Sequence, residues 1–237
     1  MPLSQFIHPE LRRHAPALMR LIEQCQDRVP SPDELGELIA ADDELSTAYA
    51  WVMSVLYDSA ITCMGGIVYA VPFLNPSFCA GLVEQADELA KDGGWKRNDC
   101  EQSAYQIPEI VVRERSQGLH DLLASFVPYL NIYHAMICQT VPRVVGSIQF
   151  TRYDESDCSG GNWHHDLDSD FTAAVSLAPH LFEGGGTDVR TAPTKSARVH
   201  PLPAGYALLF NGQKIHHKGA PVTKGARTLL TYWLSSK

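Results

Sequence analysis

From Val144 to the C-terminus, nearly every apolar run is short, rich in β-branched and aromatic residues, and bounded by Gly, Pro, Asp or Ser. Seven such runs read as strands: residues 144–153, 162–166, 172–177, 186–190, 197–200, 207–210 and 227–234. Short strands at this density, joined by tight turns, indicate a sandwich or a barrel.

The preceding half has a different period. Residues 9–62 look helical, with Leu11, Ala15, Leu18, Met19 and Ile22 at roughly helical spacing. Ser31, Pro32 and Glu34 supply an N-cap, a first-turn proline and a capping-box glutamate for a second helix. A third run, residues 46–60, is rich in Ala, Met, Val and Leu and is expected to be largely buried. Gly65-Gly66 marks the change of character. Beyond it, residues 67–73 read as a strand, and Asn75-Pro76 cap an amphipathic helix to about Lys91. Residues 92–106 carry turn formers and charge, residues 107–112 read as a strand, and residues 119–134 as a further helix. The expectation is an α+β chain, with a helical region over residues 1–64 packed on a β-rich domain over residues 65–237. No internal repeat, low-complexity segment or flexible linker is visible.

A chain of 237 residues can bury a sizeable core, and 45% apolar with 19% charged residues is ordinary for a globular protein. No run of apolar residues is long enough to suggest a membrane span. The net charge of -8 argues against a nucleic-acid backbone as partner, because phosphate binding needs clustered Lys and Arg. Cys25, Cys63, Cys79, Cys100, Cys138 and Cys158 form no CxxC pair, and the N-terminal residues lack the apolar core of a secretory signal. Reduced thiols in a cytoplasmic protein are expected.

Within the β-rich half, Trp163-His164-His165-Asp166 contains one H-x-D pair. If this segment is extended, residues two apart share a face, and His164 and Asp166 enter the interior together. Two histidines and a carboxylate on one side of an ion leave the opposite positions open, as non-haem iron requires. His217, just after the strand GYALLF and the turn NGQK, is the best candidate for the second histidine, with His216 competing. Arg227 follows ten residues after His217, at the start of the strand TLLTYWL. A guanidinium inside a barrel is costly unless paired, and a dicarboxylate is a natural bidentate partner.

These motifs carry a family resemblance. RY at 152–153, HHD at 164–166, FT at 171–172, FEGGGT at 182–187 and HKGAPVTKGAR at 217–227 resemble, in order and spacing, the prolyl/lysyl hydroxylase branch of the Fe(II)/2-oxoglutarate-dependent oxygenases. They look most like the catalytic domain of procollagen lysyl hydroxylases. The resemblance covers residues 67–237. It implies a double-stranded β-helix (jelly-roll) core with flanking helices, iron held by His164, Asp166 and His217, and 2-oxoglutarate whose distal carboxylate pairs with Arg227. In that family the liganding histidine precedes a charged residue and a glycine, which favours His217 over His216. Tyr153 becomes a candidate co-substrate contact. Three departures stand out. One more residue lies between Asp166 and Phe171 than in the lysyl hydroxylase pattern, Ala174 stands where that pattern has asparagine, and residues 1–62 have no counterpart there.

The activity so implied is a dioxygenase that hydroxylates an unactivated C–H of a lysyl- or prolyl-type side chain, free or in a peptide. It consumes O2 and releases succinate and CO2, with ascorbate as a candidate reductant. Asp166 at the carboxylate position favours hydroxylation over halogenation. Asp154, Glu155, Asp157, Asp168 and Asp170 around the metal turn are candidates to receive a cationic substrate. Rival readings are a non-catalytic jelly-roll that binds a metal or ligand, and a cupin-type zinc hydrolase or isomerase, which leaves the spacing of Arg227 unexplained. The oligomeric state is left open.

Overall fold

The computed structural model describes residues 2–25, 30–97, 107–138 and 143–235. Cys100, and the part of the turn-rich segment from residue 98 to 106, lie outside these. The chain opens with three helices, α1 (Pro9–Gln24), α2 (Pro32–Ala40) and α3 (Asp43–Ser59). The capping box forms as expected: Ser31 N–H donates to Glu34 Oε2 at 2.8 Å and Glu34 N–H to Ser31 Oγ at 3.3 Å. In α3 only one face is buried, through Leu45, Ala48, Val52 and Leu56, while Met53 and Tyr57 face solvent. The expectation of a largely buried third run therefore fails. Composition alone hides the helical period of its apolar residues.

Strands β1 (Ile61–Cys63) and β2 (Gly66–Pro72) form a hairpin around Gly65, so the helical pattern ends before residue 62. Gly65 has φ +91°, and a Cβ there would lie 2.2 Å from Lys214 O, so the turn requires glycine. Helix α4 (Pro76–Lys91) starts at the Asn75 cap, whose Oδ1 accepts from Ser77 N–H at 2.9 Å. The expected strand at 107–112 is only β3 (Glu109–Val111), followed by the single-turn α5 (Val112–Arg115). The expected helix at 119–134 is two, α6 (Gln117–Ala124) and α7 (Val127–Cys138). Pro128 fits the first turn of α7 but disfavours helical geometry in the residue before it.

The remaining strands are β4 (Val144–Asp154), β5 (Phe171–Ser176), β6 (Phe182–Gly184), β7 (Thr187–Ala192), β8 (Lys195–Val199), β9 (Tyr206–Phe210), β10 (His217–Gly219) and β11 (Val222–Ser235). They make a large antiparallel sheet in the order β1-β2-β9-β5-β11-β4-β3, with β6 paired to β11, and a small sheet in the order β10-β7-β8. Side-chain alternation divides the large sheet's two faces. Ile148, Phe150, Phe171, Ala173, Val175, Ala207, Leu209, Leu230, Tyr232 and Leu234 form one core with Leu11, Leu18 and Leu21 of α1 and Leu123, Leu130 and Tyr133 of α6 and α7. Tyr232 and Tyr133 fix this layer by donating their hydroxyls to Leu123 O (3.1 Å) and Pro72 O (2.7 Å). The opposite face, toward the small sheet, holds the cavity. Among the described residues, no helix is long and apolar enough to cross a membrane.

Candidate active site

Residues 162–166 do not form the expected strand. They meet β10 at one antiparallel bridge, where His164 N–H donates to His217 O (2.9 Å) and His217 N–H to His164 O (3.0 Å). Before the segment Gly161 N–H donates to Gly219 O at 3.0 Å without a further bridge, and after it the chain turns at Leu167-Asp168. The single bridge still sets the two imidazoles side by side, with ring centroids 4.3 Å apart. Asp166 is pinned separately, its N–H donating to Gly212 O at 3.0 Å. A Cβ on Gly212 would lie 2.6 Å from both Ser169 O and Thr172 Oγ1, so only glycine lets this turn close.

The three side chains converge. His164 Nε2 lies 3.4 Å and His217 Nε2 3.6 Å from Asp166 Oδ1, and the three ligand atoms are all within 4.8 Å of one another. Each ring donates Nδ1–H to a backbone carbonyl, His164 to Asn162 O (2.8 Å) and His217 to Ile215 O (3.0 Å). This fixes the tautomer and turns both Nε2 lone pairs toward the carboxylate. Burial pulls the His217 pKa down to about 4 against the opposing pull of Asp166, so the ring is neutral near pH 7. Burial alone would raise the Asp166 carboxyl, but at the acid pH where the rings are protonated, hydrogen bonding from His164 and the His217 and His164 charges, together with the Thr172 hydroxyl, hold it below its ordinary value. Two lone pairs and a carboxylate at this separation repel one another unless a cation lies between them. The donor set fits a divalent transition metal with open positions opposite the triad. Among the described residues it is the one His/Cys/Asp/Glu cluster able to hold an ion. The competing His216 lies outside it, stacked on His165 at 4.7 Å and beside Trp163.

Thr172, at the start of β5, donates its hydroxyl to Asp166 Oδ2 at 2.8 Å. On β11, Arg227 is directly opposite Tyr153 of β4, and its guanidinium lies over the tyrosine ring at 5.4 Å. Arg227 is 7% exposed and donates Nη1–H to Gly186 O at 2.7 Å, yet among the described residues no carboxylate lies within ion-pair range. Burial lowers the guanidinium pKa, partly offset by Tyr153, and raises that of Tyr153 to about 12. Such an arginine is costly without an anion. It lines a small void that shares Ala174, Thr187 and Leu229 with the main cavity, about 420 Å³, into which the metal triad and Tyr153 open.

A pair of solved structures has this arrangement of strands. A prolyl-4-hydroxylase from Pseudomonas putida superposes with TM-score 0.56 over 78% of this chain and 99% of its own, at 18% identity. The non-haem α-ketoglutarate-dependent carbocyclase SnoK from nogalamycin biosynthesis superposes with TM-score 0.57 over 76% and 81%, at 14% identity. The fold is that of the 2-oxoglutarate-dependent Fe(II) oxygenases. In sequence, a PKHD-type hydroxylase from Parvibaculum lavamentivorans is 30% identical over 115 residues, 42% of this chain. The match spans 48% of that relative, about half its length. No protein-family profile matches the chain.

In this jelly-roll the sequence-predicted residues fall into two groups. His164, Asp166, His217, Tyr153 and Arg227 come together at or beside the cavity, whereas most of the acidic residues around the metal turn do not face it. Asp154 is engaged by Ser156 and Arg152, Asp157 by Arg97, and Asp170 by Arg143 at 3.3 Å. Of the five, Asp168 lines the cavity. Sequence reading missed Thr172 and Gly212 as supports of Asp166, and Gly219, where a Cβ would overlap the Tyr153 ring at 2.4–2.5 Å. The only signal for them was their place within or beside the matched stretches.

Proposed function

We propose that the protein is an Fe(II)- and 2-oxoglutarate-dependent dioxygenase that hydroxylates an unactivated C–H of an amino-acid side chain, lysyl or prolyl in type, free or peptide-bound. Succinate and CO2 are the co-products. One observation carries the proposal: inside this fold a His-Asp-His acceptor cluster, with Asp166 and His217 buried, lines a cavity, and a buried arginine with no carboxylate partner among the described residues lines the small void that adjoins it. His164, Asp166 and His217 would hold the iron, and Arg227 and Tyr153 the distal carboxylate of 2-oxoglutarate. With O2 and 2-oxoglutarate, bound iron supplies the oxidising power for C–H cleavage. The chain does the positioning. The Nδ1 anchors and Thr172 aim the side chains that would hold the iron, and Asp166 would fill the coordination position that halogenation requires open. A zinc hydrolase would have the triad but no use for Arg227.

The test is anaerobic addition of Fe(II) and 2-oxoglutarate. A weak visible charge-transfer band is expected, and its absence in folded, metal-loaded protein sinks the chelation scheme. Arg227→Ala should raise the KM for 2-oxoglutarate roughly thirtyfold or more, the cost of a buried charged pair broken on one side. Unchanged succinate release at low 2-oxoglutarate would remove the arginine from this role.

A further inference from the structure

One wall of the cavity is polar and contains neither the His-Asp-His cluster nor Arg227 and Tyr153. Alternation along β4 and β11 turns Gln149, Thr151, Thr231 and Trp233 inward, and Thr231 is directly opposite Gln149. Gln149 is 6% exposed, and its Nε2 donates to Ser147 Oγ at 3.3 Å. Among the described residues, the Gln149 carbonyl oxygen, both threonine hydroxyls and the Trp233 indole N–H have no hydrogen-bond partner. Gln149 is buried and the other three are half-buried, so these polar groups face the cavity and are answered there by water or by the polar groups of a ligand. A cavity of about 420 Å³ is of small-molecule size. Among the described residues no Lys or Arg side chain lines it, while Glu109 and Asp168 do. An anionic group on this side therefore meets an unfavourable field, and an apolar one leaves the amide and hydroxyls unpaired.

We infer that this wall is the substrate-reading surface, with Gln149 as its specificity-determining residue. The substrate group that enters presents a neutral or cationic hydrogen-bond donor, neither apolar nor anionic. The inference rests on the oxygenase reading above.

The test compares N-acetyl amides of lysine, glutamine, norleucine and glutamate as probes with the Fe(II)- and 2-oxoglutarate-loaded protein, reading succinate release against a no-probe baseline. The lysine and glutamine probes should stimulate at least about fivefold, and the norleucine and glutamate probes less than about twofold. Gln149→Leu should raise the KM for the stimulating probe about tenfold with a smaller change in kcat. Gln149→Glu, which keeps shape and acceptor and adds charge, should shift preference from the glutamine probe to the lysine probe. Equal stimulation by all four probes, stimulation by none, or an unchanged KM in both variants overturns the inference. If the charge-transfer band and basal succinate release persist in that case, only the substrate assignment fails; if the band is missing, the oxygenase reading fails beneath it.

Discussion

Asp166 is aimed by a single hydroxyl. Thr172 donates to its Oδ2, and the Ser169 hydroxyl sits 2.9 Å behind Thr172, so the carboxylate is held by a short buried chain. Thr172→Val keeps the shape of the side chain and removes the donor. Metal affinity should fall about 10- to 100-fold, as losses of such supporting hydrogen bonds do. Anaerobic Fe(II) titration checks this, and Thr172→Ser should restore most of the affinity; equal affinities in all three proteins would show that the hydroxyl is idle. The candidate site residues stood out in sequence because their chemistry is in their residue types: Asp166, His217 and Arg227, all buried, are costly to bury for any bland reason, and His164 shares the H-x-D pair with Asp166. Thr172 and Gly212 were not, since a threonine or glycine in a strand-and-turn region carries no mark of what it touches until the turn is closed.

Among the elements, strands β4, β5, β7, β9 and β11 were readable from alternation and turn residues, and the capped helices α2 and α4 from their N-cap signals. Besides the segments around β3 and α5 and around α6 and α7, two further stretches were misread for physical reasons. Residues 162–166 alternate like a strand but are held by one bridge and one hydrogen bond to Gly212, contacts that depend on the distant β10 and β9 ends. β1 follows α3 without a breaker in sequence, and its strand state comes from pairing with β2. The three-residue β10 leads to a sharp prediction. Gly219 lies against the Tyr153 ring, which in turn is the cross-strand neighbour of Arg227. In Gly219→Ala the ring must move, at an overpacking cost of about 1–3 kcal/mol, and the KM for 2-oxoglutarate should rise. Adding Tyr153→Leu removes the overlapping ring atoms, so thermal stability should recover while co-substrate affinity should not. Recovery of both in the double variant would exclude Tyr153 from the co-substrate site.

For the whole molecule, the sheet works as a partition: its cavity face carries the chemistry and its other face seals against helices from both ends of the chain's first half. α7 lies in that sealed layer, and its His134 is 1% exposed with its ring edge-on to Phe171 at 4.8 Å. Burial first, then the nearby Arg143 charge, lowers the His134 pKa to about 4, against a partial opposing pull from Asp170. A histidine lowered in the folded state is neutral there, while the unfolded chain takes up a proton below about pH 6.5. Its stabilising contribution is therefore complete above pH 6.5 and is lost as pH falls from about 6.5 to 4. The shift corresponds to about 3 kcal/mol across that window. His134→Gln cannot titrate, so even if it is less stable at pH 7.5, its stability should fall less steeply over the same range. Denaturant midpoints measured at half-unit intervals, with Fe(II) excluded, provide the comparison. The metal histidines titrate equally in both proteins and cancel in the difference. Parallel acid limbs would mean that His134 takes up its proton in the folded chain as it does in the unfolded one, and that the helical layer does not seal this side of the sheet.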